Sequence, residues 1–85
     1  MKIKIALCDD DVKALPVIAG AAESAFQEKG IHTDIQRFTS GKALMQAMEQ
    51  TTFQIVLLDI EMPGMDGIAV GKKIRAQGND TQIVY

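Results

Sequence analysis

Apolar runs alternate along this chain with stretches of helical periodicity. Residues 3–8 (IKIALC) are rich in β-formers and read as a buried strand. From about Val12 to Lys29, Leu15, Ile18, Ala22, Ala25 and Phe26 recur at spacings of three and four, which predicts a helix stopped by Gly30. Pro16 fits that helix only inside its first turn, where a missing N–H has no partner to lose; a start at Asp11 or Val12 meets the condition. Residues 33–38 (TDIQRF) alternate like a half-buried or edge strand. The TSG at 39–41 is a loop and capping signal, and the following KALMQAMEQ places Leu44, Ala47 and Met48 on one helical face. Residues 53–58 form the most hydrophobic strand. Asp66 is placed to cap a third helix over 67–76 with Ile68, Val70 and Ile74 on its apolar side. A turn at Gly78-Asn79-Asp80 leads into a fourth strand, TQIVY.

The resulting order, β-α-β-α-β-α-β, predicts an α/β fold: a doubly wound parallel sheet with right-handed crossovers and helices on both faces. Continuous apolar runs put the first and third strands at the centre, and the more polar second strand belongs at an edge. In such sheets ligands bind beyond the carboxyl ends of the strands, at the point where strand order reverses. Asp9, Asp10 and Asp59 all stand at those ends, so one pocket should hold them.

Composition narrows the setting. The 85 residues, 47% hydrophobic and 24% charged, make one small globular domain. With nine basic and eleven acidic residues and no basic cluster, the chain offers no electrostatic footprint for nucleic acid. The longest apolar run, Ile55 to Leu58, cannot cross a bilayer, and no signal-peptide pattern follows Met1. A lone cysteine, Cys8, suits a reducing compartment, and the expected location is cytoplasmic.

Gathering carboxylates is costly without a cation: two unit charges 4 Å apart repel by roughly 4 kcal/mol at an effective dielectric near 20. All-oxygen donors without a His or Cys cluster suit Mg²⁺, Mn²⁺ or Ca²⁺. Mg²⁺ takes one or two carboxylates and leaves positions open for phosphate oxygens, which fits phosphoryl transfer, and an aspartate can itself be the nucleophile. Taken alone, DDD at 9–11 is more often a solvated loop or helix cap than a metal site; the shared pocket with a second acidic strand end and its long motif lifts it above that reading. Met45, Met48, Met62 and Met65 read as packing or turn residues, Cys8 as an apolar core residue, and Lys42, Lys72 and Lys73 as exposed helix surface. His32, placed in a loop, receives no role.

The motif CDDD after the first strand and LLDIEMPGMDG after the third resemble the receiver domain of two-component response regulators over the whole chain. The spelling is most similar to receivers attached to LytTR-type DNA-binding domains. The resemblance implies a flavodoxin-like fold with strand order 2-1-3-4-5, and a phosphoacceptor module that is not itself an enzyme. Asp59 would accept the phosphoryl group from a sensor histidine kinase. Asp10 and Asp59 would bind Mg²⁺ directly, Asp9 through water, and Glu61 through its backbone carbonyl. Pro63-Gly64 would turn the chain around the pocket. The family pattern also has a Ser or Thr ending strand four and a Lys ending strand five. Residues 1–85 would thus be the N-terminal portion of a single receiver domain, truncated after strand four, with its output domain, and control of transcription, elsewhere in a parent protein. A structurally stable but inert fragment is the alternative. A Mg²⁺-dependent phosphatase of the haloacid-dehalogenase type is a remote one, because DIE at 59–61 only approximates its D-x-D pair and follows the wrong strand. Strand four would be an apolar edge without charge or proline, so a dimer or higher oligomer through that edge is expected.

Overall fold

The structure, a computed structural model, describes residues 2–59, 61–62, 65–77 and 81–85. Four parallel strands form the main sheet: β1 (Lys2–Cys8), β2 (His32–Phe38), β3 (Ile55–Leu58) and β6 (Gln82–Val84), in the order β2-β1-β3-β6. The two apolar runs are the central strands, as their composition requires. After β3 lies an antiparallel pair that hydropathy did not announce, β4 (Glu61–Met62) and β5 (Met65–Asp66). Asp66 therefore ends a strand, and α3 (Gly67–Ala76) begins at the next residue. The expected turns at Pro63-Gly64 and 78–80 lie outside the described residues.

Helix α1 spans Ala14–Gln27, so Pro16 is its third residue and removes no helical hydrogen bond. Asp11 prepares its entry: the Asp11 carbonyl accepts from Ala14 N and Leu15 N, and Asp11 Oδ1 accepts from Lys13 N at 2.9 Å. Gly30, at φ +74°, takes the left-handed conformation that turns the chain out of the helix. Helix α2 (Gly41–Met48) is capped by Ser40, whose Oγ accepts from Ala43 N at 3.1 Å.

Helices cover both faces. Against one face pack α2 and α3, where Leu44, Met48, Val70 and Ile74 meet Ala6, Cys8, Val56 and Leu58. Phe53, which precedes β3 rather than opening it, is fully buried in this layer and meets Phe38 edge-on, with ring centroids 6.0 Å apart. Against the other face packs α1, whose Leu15 and Ala19 meet Leu7, Ile35 and Leu57. The apolar stripe of α1 is narrower than its periodicity predicts: Ile18 is 36% exposed and Ala25 lies in solvent. Ile68, at the start of α3, is likewise exposed. His32 opens β2 instead of lying in a loop, since it pairs with Lys2 in the parallel ladder.

At the amino ends of the strands, Gln54 joins three of them. Its N–H donates to the Lys4 carbonyl at 2.9 Å, its side-chain Oε1 accepts from Lys4 N at 2.7 Å, and its carbonyl accepts from Gln82 N at 2.9 Å. Nearby, the buried Thr81 hydroxyl donates to the Phe53 carbonyl at 2.8 Å. These bonds set the register of β1, β3 and β6 from the end opposite the acids.

Candidate functional site: an acidic cluster at the strand ends

Asp9 and Asp59 stand one residue beyond adjacent central strands, and the ladder extends far enough to hold both. Asp9 N donates to the Phe38 carbonyl and Asp59 N to the Cys8 carbonyl, each at 3.0 Å. The Asp9 carboxylate is further held by the backbone, its Oδ1 accepting from Asp11 N at 3.0 Å. Asp9 and Asp59 are half-buried and Asp10 is exposed at the rim. One carboxylate oxygen from each of the three lies within 4.8 Å of the others. The strand ends thus bring Asp9, Asp10 and Asp59 together as the sequence predicts. Glu61 belongs to β4, two residues past Asp59.

Electrostatics follow from that crowding. The Asp10 carboxyl is pushed above its ordinary range, first by desolvation and then by the charges of Asp59 and Asp9, against a lowering hydrogen bond from its own backbone. Directly beneath, Cys8 is buried, and its thiol is pushed up to about 11 by burial and then by Asp9, Asp59 and Asp10. The thiol is therefore neutral and unreactive, and packs as an apolar side chain. Three converging hard oxygen donors fit a divalent cation such as Mg²⁺, which would relieve the repulsion that raises Asp10.

Beside the acids opens a cavity of about 380 Å³ whose lining includes Asp9, Asp59, Leu57, Ile18, Val84 and Tyr85. Ile18 and Tyr85 were not legible as wall residues. One was read as part of the buried stripe of α1 and the other as part of an edge strand, and neither pattern tells which side chain reaches the carboxyl end.

The chain matches the family described as "Response regulator receiver domain" over residues 5–85. It is 33% identical over 85 residues to the regulatory protein VanRB of Enterococcus faecalis, covering 99% of this chain and 35% of that protein. It is 30% identical over 82 residues to a protein-glutamate methylesterase/protein-glutamine glutaminase of a Nocardioides species, covering 96% of this chain and 21% of that protein. Among solved structures it is similar to the response regulator protein TrrA of Thermotoga maritima, at 30% identity and TM-score 0.66, over 95% of this chain and 65% of that one. TrrA has been solved in complex with the histidine kinase ThkA and with Mg(2+)-BeF. The chain therefore spans about a third or less of these two curated relatives.

Proposed function

Because this chain belongs to the response regulator receiver domain family, the phosphoacceptor modules of two-component signalling, we propose that Asp59 is its phosphoacceptor. The observation that carries the assignment is the convergence of the Asp9, Asp10 and Asp59 carboxylates within 4.8 Å at the carboxyl ends of two adjacent central strands. Asp59 stands one residue past β3, with its backbone N–H donating to the Cys8 carbonyl. A carboxylate oxygen of Asp59 attacks the phosphorus, the donor's imidazole or acetate departs with the bonding pair, and an aspartyl phosphate remains. Asp10 and Asp59 would hold Mg²⁺ directly, Asp9 through water and Glu61 through its carbonyl, and the ion would supply neutralising charge for the transferring phosphoryl oxygens. The TrrA structures, with a histidine kinase and with Mg(2+)-BeF, support a sensor histidine kinase as donor and Mg²⁺ as the ion.

The parent protein would pass this event to an output domain, with a LytTR-type DNA-binding domain and control of transcription in the cytoplasm as the reading its motif spelling favours. The chain accepts a group and turns over no separate substrate, so we assign it no enzymatic activity of its own. Its β6 edge, bearing Gln82, Ile83 and Val84 without charge or proline, would pair with the same edge of a second copy.

Incubation with acetyl phosphate and Mg²⁺ should add one phosphoryl group, mapped by mass spectrometry to Asp59 and absent from Asp59→Asn. An adduct that survives the substitution overturns the assignment. No adduct on the wild-type chain would instead make residues 1–85 an inert portion of a receiver.

A further inference from the structure

We propose that Tyr85 is a positioning residue for the acceptor pocket, its ring seated on Gly71 of α3 so that the carboxyl end of β6 forms one wall of the cavity beside Asp59. The inference rests on the reading of Asp59 as acceptor and deepens it.

Two observations meet in this residue. Tyr85 lines the cavity that also contains Asp59 and Asp9. On its other side it reaches α3 at Gly71: a β-carbon there would collide with the Tyr85 hydroxyl and lie 3.0 Å from ring carbon Cζ and 3.4 Å from Cε1. Gly71 is buried in mid-helix, a position where glycine is unfavourable relative to alanine. The close approach of the phenol supplies a reason for the glycine. It is also a contact between the strand end at the acceptor and the helix that follows the β4–β5 pair, a link that no backbone hydrogen bond of the sheet supplies among the described residues. The residue as a whole is 53% exposed, and its hydroxyl end is the part that meets Gly71. Displacing it would move the wall next to the attacking carboxylate, while the metal-ligating acids, carried by β1 and β3, stay in register.

The test compares wild type with Gly71→Ala, Tyr85→Ala and the double variant Gly71→Ala/Tyr85→Phe, which removes the atom that collides. Phosphorylation of Asp59 by acetyl phosphate should slow by about tenfold in each single variant, within the hundredfold that a 1 Å misplacement can cost. Mg²⁺ affinity, measured by calorimetry, should stay within about twofold, the split expected when positioning is lost and charge binding kept. The double variant should recover most of the rate. Tyr85 is the chain's single tyrosine and there is no tryptophan, so acrylamide quenching of its fluorescence reports on the seat alone. Quenching should rise in Gly71→Ala. Unchanged quenching, or a slowed rate that Tyr85→Phe does not restore, overturns the proposal. So does a normal rate in Tyr85→Ala, which leaves α3 untouched. A wild-type chain that accepts no phosphoryl group refutes the acceptor reading instead, and with it Tyr85's role in the reaction.

Discussion

Asp10 is the exposed member of the acidic cluster, and its carboxyl is raised by the desolvation and the like charges around it. An acid whose folded pKa lies above its unfolded value holds its proton more tightly in the native state. Its stabilising contribution is therefore present at low pH and is lost as pH rises through the folded pKa. At neutral pH, without metal, Asp10 opposes folding. Asp10→Asn should accordingly raise the melting temperature of the metal-free chain. Mg²⁺ should raise that of the wild type as well, by adding about 2.7 kcal/mol of stability at a hundredfold excess over the dissociation constant, and that of the variant much less. Glu49→Gln, at the far end of α2, is the control and should leave the Mg²⁺ response unchanged. Thermal melts with and without Mg²⁺ decide it: equal responses in the two variants would mean diffuse charge screening and no site. At this scale the sequence was informative. Asp9, Asp10 and Asp59 were identifiable because each interrupts an apolar pattern where a strand must end.

Elements were legible where side-chain periodicity and backbone pairing coincide. The apolar runs of β1 and β3 marked the sheet's centre, and the Ser40 cap stood in sequence just before the start of α2. His32 was misplaced because its membership of β2 rests on a main-chain ladder to Lys2, which hydropathy does not encode. The β4–β5 pair has two residues per strand, too few to show any period. Ile18 and Ile68 fall on the predicted stripes, but both stay accessible and neither joins the core clusters of its helix. The cap gives a direct test at this scale. Ser40→Ala removes the acceptor of the Ala43 N–H and should cost about 1 kcal/mol in urea denaturation, with an unchanged m-value. Gly at the same position should cost only a few tenths.

For the whole molecule, the two sheet edges differ in chemistry. The β2 edge carries His32, Asp34 and Arg37, whereas β6 offers Gln82, Ile83 and Val84, with Val84 50% exposed. Charged edges resist pairing and apolar uncharged ones invite it. With no strand on the outer side of β6 among the described residues, the 85-residue chain should associate through that edge, antiparallel about a two-fold axis. Light scattering over a concentration series should show mass rising toward a dimer or beyond, and Val84→Lys should hold the chain monomeric. A wild-type monomer that unfolds cooperatively at high concentration would refute this.

Gln54 has a consequence for how this chain tolerates changes of length. It bonds Lys4 on one side and Gln82 on the other. From Lys4 to Asp9 and from Gln54 to Asp59 the count along the two strands is equal, so the far-end bonds measure out where both acids emerge. Adding or removing one residue between those marks would carry an acid to the opposite face of the sheet, because side chains alternate. A one-residue insertion after Leu57 should therefore abolish Mg²⁺ binding. The same insertion after Gln50, in the connection between α2 and Phe53, changes neither count and should be absorbed there, leaving affinity near wild type. Single-residue insertion scanning would then trace two intolerant windows of equal length, a ruler written into the strands.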